Sequence, residues 1–216
     1  MQDARPQTRI QRRNRAAIQE AALGVFSAQG YGGARLDQIA GAAGMSKPNL
    51  LYYFPSKEAI YSALLTGLLD TWLDPLRTLD PAGDPIDEIV GYVMRKLEMS
   101  RRYPRESRLF ANEVLRGAPI LNTEISGNLR DLVDEKCALL QSWMDAGLLA
   151  RLPPHHLIFS IWATTQHYAD FDVQVRGILR PRGDVHFNDA ERFLADFYRG
   201  ALTPRAAKLV QSAAAE

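Results

Sequence analysis

The four histidines and the paired carboxylates are the first places to look for catalysis or metal binding in these 216 residues. His155 and His156 are adjacent, so on a helix their rings diverge and make a poor chelate. His167 precedes Asp170 by three residues, which puts both on one helical face. No further ligand stands at a spacing that would complete a set. His186 is isolated, and Asp134-Glu135 reads as a solvated helix face. There is no phosphate-cradling glycine loop, no nucleophile elbow and no HExxH. No enzyme, metal site or cofactor is expected. Recognition chemistry remains, in two places: the stretch Arg35 to Leu64, and a set of large aromatic and amide side chains farther along.

The first place is organised by its turns. Leu36, Ile39, Ala40 and Ala43 fall on one face at helical spacing. Gly44 supplies the left-handed backbone a helix end needs, and Ser46 can accept an N–H bond as the next N-cap. Pro48 sits in the first turn of the following helix, where its missing N–H costs nothing. Helix, tight turn, short helix is the outline of a helix-turn-helix. Ser56 caps a third helix, whose stripe is Ile60, Leu64, Leu68 and Trp72.

The rest of the chain must position these residues, and its length allows one large domain or two small ones. An apolar fraction of 46% describes a globular protein with enough core to fold unaided. The single Cys137 excludes an internal disulfide and leans towards a reducing compartment. No apolar run reaches the ~18 residues of a membrane span. The polar N-terminus lacks the apolar segment of a signal peptide, so a cytoplasmic location is expected. Net charge is +1, but unevenly spread. Residues 1–61 hold eight Lys/Arg against four Asp/Glu, a net of +4, and the remainder holds 18 against 21. A basic head on an acidic body is what one expects when only one end meets a polyanion.

The periodicity is helical throughout, so the fold class is all-α, with about nine helices. Residues 1 to about 10 read as a flexible basic arm, followed by a helix from about Arg12 to Gln29. Ile18, Val25, Phe26, Leu36, Ile39, Leu50 and Phe54 would form one small core. Pro75 should bend or end the helix that Ser56 begins, and Pro81 to Pro85 is a linker. Further helices are expected at Ile86–Arg102, Glu106–Leu115, Glu124–Ala146, His155–Val175 and Phe187–Leu202. The His155–Val175 helix is apolar on more than one side and so needs partners on more than one side. The expected division is a basic arm and helix-turn-helix over 1–56 and a helical body over 57–204. A disordered tail should follow over 205–216, and the helix from Lys57 is shared by head and body.

From Ile39-Ala40 through Ala43-Gly44-Met45-Ser46, Leu50, Tyr52, Tyr53, Phe54 and Ser56-Lys57-Glu58, the chain resembles the DNA-binding head of TetR-type transcriptional repressors. The match runs over some thirty positions with its spacings intact. The resemblance implies that the second helix of the motif enters the major groove of double-stranded DNA. Lys47, Pro48 and Asn49 then lie nearest the base edges, suited to guanine, a thymine methyl and adenine respectively. Tyr52, Tyr53 and Lys57 would hold phosphates, with Arg35 also in the interface. One departure is Leu51, where an aromatic with a phosphate-contacting hydroxyl is usual, and Tyr52 or Tyr53 takes its place. The resemblance further implies a homodimer on a palindromic operator, paired through about residues 155–175 and 187–202.

The body carries a closer likeness. LDTWLDPL, SRRYPRESRLFANEVLRGAP, LVDEKCALLQSW and HLIFSIWATTQHYADFDVQV resemble the RutR subgroup of that family, repressors of pyrimidine utilisation that sense uracil. The subgroup implies Trp72 and Gln166 as ligand contacts, then Trp162 and Tyr168, with Arg108 and Glu113 as polar lining. The chemistry is consistent with that ligand. A neutral flat ring with carbonyls and N–H groups asks for aromatic faces and side-chain amides. Trp162 and Gln166, four apart on one helix, lie side by side. The expectation is therefore a homodimeric repressor released by uracil or a similar pyrimidine. The alternatives are the same architecture sensing another planar or apolar molecule, or a helical interaction protein or small helical enzyme with a vestigial head.

Overall fold

The computed structural model describes residues 8–204. The expected tail at 205–216 lies outside the described residues, as does most of the basic arm. Among the described residues there are helices and no strands, so the all-α expectation holds.

α1 (Arg9–Gly33) starts three residues before the expected Arg12. The Thr8 hydroxyl accepts the Gln11 N–H at 3.2 Å and the Gln11 side chain accepts the Thr8 N–H at 2.9 Å. This reciprocal capping box starts a helix without help from apolar spacing. Gly30, at φ +68°, breaks its regular run. α2 (Leu36–Ala42) and α3 (Lys47–Tyr53) flank a turn in which Gly44 also takes φ +68°. There Met45 N–H reaches the Ala40 carbonyl at 3.0 Å, and the Ser46 hydroxyl accepts Asn49 N–H at 3.4 Å. These are the local bonds that the turn and cap residues call for.

α4 (Lys57–Arg77) is capped by Ser56, whose hydroxyl accepts Ala59 N–H at 3.0 Å. Of the two expected effects of Pro75, a bend or an end, the end does not occur, and the helix runs on to Arg77. Pro75 costs one hydrogen bond, to Thr71, and Thr71 is exposed to water. Pro75 itself is buried, with Leu73 and Leu76 beside it.

The body follows as α5 (Pro85–Arg102), α6 (Pro104–Leu115), a single turn α7 (Asn122–Glu124), a π turn at Ile125–Leu129 and α8 (Arg130–Asp145). α9 (Pro154–Asp170), α10 (Asp172–Leu179) and α11 (Val185–Leu202) complete it. Two expected helices are thus divided. The one from Glu124 passes through the π turn, where Gly127 leaves helical geometry at φ −108°, ψ −106°. The one from His155 breaks at Phe171, at φ −113°, ψ 29°. Among the described residues, no helix is long and apolar enough to cross a membrane.

Two apolar clusters hold the chain together. The body cluster forms where α5 meets α9 and α11, around Val93, Leu97, Leu140, Ile161 and Leu194. The head cluster centres on Ile18, Phe26, Ile39, Leu50 and Phe54, five of the seven residues expected there, with Val25 and Leu36 partly buried at its edge. It does not stop at the head. It continues along α4 through Leu65, Leu69 and Leu73 to Leu109 of α6 and Leu121. An Arg105–Glu20 ion pair at 3.0 Å joins α6 to α1, and Arg116 lies 5.7 Å from the Tyr31 ring centre. The head is therefore joined to the body by α6 as well as by α4. Phe54 is 1% exposed. Phe54→Ala is expected to cost about 3–5 kcal/mol, measured by denaturant unfolding; a loss under 1 kcal/mol would contradict a packed head core.

Candidate functional site

The helix-turn-helix presents one face to solvent. Lys47, Pro48 and Asn49 at the start of α3 are all exposed, as is Arg35 just before α2. Lys47 pairs with Asp37 at 3.3 Å, with both side chains about half exposed. Such a pair is held weakly and can exchange partners. The two tyrosines differ. Tyr52 is 71% exposed, whereas the Tyr53 hydroxyl accepts a bond from Asn14 at 2.6 Å. Arg15 also donates to the Tyr53 carbonyl at 2.6 Å, which ties the end of α3 to α1. Leu51 is partly buried against the head cluster, so the irregular position faces protein.

Lys57, expected at phosphates, also makes contacts within the protein. Its ammonium donates to the Tyr31 carbonyl at 2.8 Å and the Ala34 carbonyl at 3.0 Å, 4.5 Å above the Tyr31 ring. The end of α1 leaves carbonyls with no helical partner, and the first residue of α4 satisfies those of Tyr31 and Ala34. Two of its three N–H donors are thus committed to the protein. Nothing in local sequence shows this contact, which spans 26 residues.

The second site is a half-open pocket of about 610 Å³ lined by α4, α5, α6, α9 and the π turn. Trp72, Trp162, Gln166 and Arg108, four of the six residues the resemblance implies at the ligand, line it. Trp72 is 5% exposed on α4. Trp162 spends its indole N–H on the Tyr92 hydroxyl at 2.7 Å, leaving its ring to the cavity. Gln166 is half-buried in the wall, and no described residue hydrogen-bonds its amide. Arg108 donates to the Ala169 carbonyl at 3.4 Å, which holds it against α9.

Two expected lining residues do not reach the cavity. Tyr168 is two residues past Gln166, which on a helix turns it well away. It packs on the body core with its ring 5.9 Å from Phe187, and burial pushes its phenol pKa up. Glu113 is not among the α6 residues that line the cavity, although its neighbours Asn112 and Val114 are. It is fully buried, accepts the Ile120 N–H at 2.7 Å and closes the turn after α6. Beside it, Tyr61 is pushed up to about 12, first by burial and then by the Glu113 charge.

Two charged lining residues were not foreseen as contacts. Lys96 of α5 is 2% exposed, with its ammonium 3.4 Å from the Trp72 carbonyl and 5.5 Å from that ring's centre. Burial lowers its pKa to about 7, with Asp170 opposing. Asp170 accepts a bond from the Ser107 hydroxyl at 2.5 Å. Its carboxyl is raised by burial and pulled back by Ser107 and then Arg108. A signal for Lys96 existed: it lies three residues after Val93, on the apolar face of its helix. His167 is exposed and stacks on Phe171 at 5.1 Å. Among the described residues no group of three or more His, Cys, Asp and Glu could hold a metal ion.

A helix-turn-helix head fused through one long helix to an all-helical body with a pocket between its helices defines the class of one-chain, ligand-responsive transcriptional regulators. Residues 18–64 match the family described as bacterial regulatory proteins, tetR family, and residues 65–205 match the YcdC-like protein, C-terminal region. The chain belongs to the TetR family of transcriptional regulators, and is not an enzyme. Within that family it falls in the RutR subgroup. It is 53% identical over 174 residues to the HTH-type transcriptional regulator RutR of Escherichia coli K12, covering 80% of this chain and 82% of that one. To the HTH-type transcriptional repressor NicS of Pseudomonas putida it is 31% identical over 140 residues, covering 62% and 63%. Among solved structures, the ketosteroid regulator KstR2 of Mycobacterium tuberculosis superposes with a TM-score of 0.71 at 20% identity, covering 88% of this chain and 95% of that one. AibR in complex with isovaleryl coenzyme A and operator DNA gives 0.66 at 19%, covering 89% and 100%. At those identities the likeness is one of fold.

The buried lysine has a measurable signature. Its folded pKa lies below its unfolded one, so between about 7 and 10.5 the unfolded chain binds more protons and stability rises with pH. Against wild type, Lys96→Met is expected to flatten the unfolding free energy over that window, by up to about 1.4 kcal/mol per pH unit. Parallel curves from denaturant titrations would contradict it.

Proposed function

We propose that this chain is a cytoplasmic homodimeric repressor, released from a palindromic operator by uracil or a similar small pyrimidine. The observation that carries the ligand reading is Gln166. A half-buried amide, with no hydrogen-bond partner among the described residues and in the same wall as Trp72 and Trp162, offers a donor and an acceptor to the edge of a flat ring between aromatic faces. The 53% identity to RutR supports it from a different direction.

In the head, Lys47, Pro48 and Asn49 read base edges, while Arg35, Tyr52 and the remaining donor of Lys57 grip phosphates. The Tyr53 hydroxyl keeps a supporting part through Asn14. One head makes too few contacts for a specific site, and two-fold pairing sets two reading helices ~34–36 Å apart. Support for pairing through α9 and α11 comes from exposed rings there. Phe159, Phe193 and Phe197 are 48–61% exposed, more apolar surface than a helix turned to water normally presents.

Release follows as a shift in populations. The ligand prefers the conformer whose heads are wrongly spaced for the operator, and its effect cannot exceed that preference. α4 carries the motion because Trp72 lines the cavity and Ser56 caps the same helix beside α3. α6 offers a second route, since it lines the cavity and touches α1.

A second reading, an effector with a larger apolar body, is favoured by Leu69, Leu73, Phe110, Val114 and Leu115. These make most of the wall hydrocarbon. Mobility-shift titration against DNA upstream of the chain's own gene, with and without uracil, separates the two. Uracil is expected to release the DNA, and Gln166→Ala to require about tenfold more of it. Binding of DNA that ignores uracil would leave the apolar effector, and no shift at low salt would end the DNA reading. Lys57→Ala is expected to weaken binding to every sequence and to reduce the salt slope by about one ion; an unchanged slope would limit Lys57 to its two carbonyls.

A further inference from the structure

The start of α1 carries positive charge that its own helix does not use. Four of the seven residues from Arg9 to Arg15 are arginines, and the one carboxylate of α1 is Glu20, which pairs with Arg105 of α6. Arg15 is spent on the Tyr53 carbonyl and the Phe54 ring. Arg9, Arg12 and Arg13 are exposed, and among the described residues none of them has a carboxylate within 4.0 Å. Their placing works against the helix. The first turn lies at the positive end of the dipole, where cations are unfavourable, and it holds no acidic residue. Arg9 stands three residues from Arg12 and four from Arg13, so like charges also crowd along one face. The reciprocal bonds of Thr8 and Gln11 nevertheless keep the backbone helical there. A local cost held in place by a cap asks for a compensating anion.

The same stretch lies ahead of the head core. Ile18 is the first buried residue of α1, and the helix from Arg9 to that point is about 13 Å long. It is fastened beside the reading helix, because Asn14 donates to the Tyr53 hydroxyl and Arg15 to the Tyr53 carbonyl, each at 2.6 Å. Tyr53 is the last residue of α3, and its neighbour Tyr52 is 71% exposed. We propose that Arg9, Arg12 and Arg13 form a second DNA contact, on the sugar-phosphate backbone next to the groove that α3 enters. This contact rests on the reading of the head as DNA-binding and adds a surface to it. Its occupant is the duplex backbone, since guanidinium groups on an exposed helical face pair with phosphates whatever the sequence. Asn14 and Arg15 act as positioning residues, holding that face in line with α3.

Contacts of this kind strengthen binding to every duplex alike, and each phosphate neutralised releases about one counterion. They leave the choice of sequence to α3. Because α1 is also joined to α6 through Glu20 and Arg105, a body conformer that turns the head displaces both contacts together.

Fluorescence anisotropy of the full chain tests this, on the duplex upstream of its own gene and on a scrambled duplex, from about 50 to 200 mM salt. A triple variant, Arg9→Gln with Arg12→Gln and Arg13→Gln, is expected to bind both duplexes at least about tenfold more weakly. Its salt slope should fall by about two to three ions per head, with the preference for the upstream duplex kept. Its melting midpoint should stay level or rise, since the charges removed oppose the helix. The corresponding triple Lys variant should recover the slope and most of the affinity. A Gln variant with the wild-type slope would overturn the proposal. So would a Lys variant that fails as the Gln one does, because the loss would then come from structure and not from charge. A loss confined to the upstream duplex would overturn it too, by placing the arginines at base edges. If wild type binds DNA and the Gln variant matches it, this contact alone fails. If wild type binds neither duplex at low salt, the reading of the head fails with it.

Discussion

One helix serves two cores. α4 extends 21 residues from its cap at Ser56, and its apolar residues pack first under the helix-turn-helix and then against the body. From Lys57 to Trp72 is about 22 Å at the rise of an α-helix, bridged without an internal break. Lys57 pins its start to the end of α1, while Lys96 touches the Trp72 carbonyl near its far end. A rod held at its start by Lys57 and packed into the body along its second half cannot tilt at one end without disturbing the other. The placing of the reading face and the shape of the cavity both depend on this rod.

The same lysine shows how the head uses its cations. Of the basic residues that give residues 1–61 their net positive charge, Lys57 and Arg15 are turned at least partly to the protein. Arg15 lies 4.0 Å from the centre of the Phe54 ring while bonding the Tyr53 carbonyl. Carbonyl oxygens do not neutralise these groups, so their field still reaches outwards. Building and attraction are done by the same charges.

What the sequence discloses divides along the same line as its interactions. The head was legible because its determinants are local: Gly44, Ser46, Pro48 and Ser56 act on neighbours within four residues. Helices in the body were legible from their periodicity, but not their breaks at Gly127 and Phe171. The cavity was half legible. Trp72, Trp162 and Gln166 were named through the likeness to the RutR subgroup, and their helical spacing agrees with it. Tyr168 and Glu113 sit at angles facing other neighbours, which only the packed helices reveal. Lys96 and Asp170 meet the same space from α5 and α9, and no pattern along one helix announces a convergence between two.

The π turn at Ile125–Leu129 has a bearing on how such proteins diversify. Inserting one residue in an ordinary α-helix rotates everything beyond it by 100° and strips its buried face from the core. A π turn absorbs the extra residue locally. Here it stands at the head of α8, with Ile125 and Leu129 on the cavity wall and Val133, Leu140 and Trp143 in the core behind. The wall can therefore gain or lose a residue over evolutionary time while α8 keeps its register, which gives a lineage a way to reshape its effector site without rebuilding the fold.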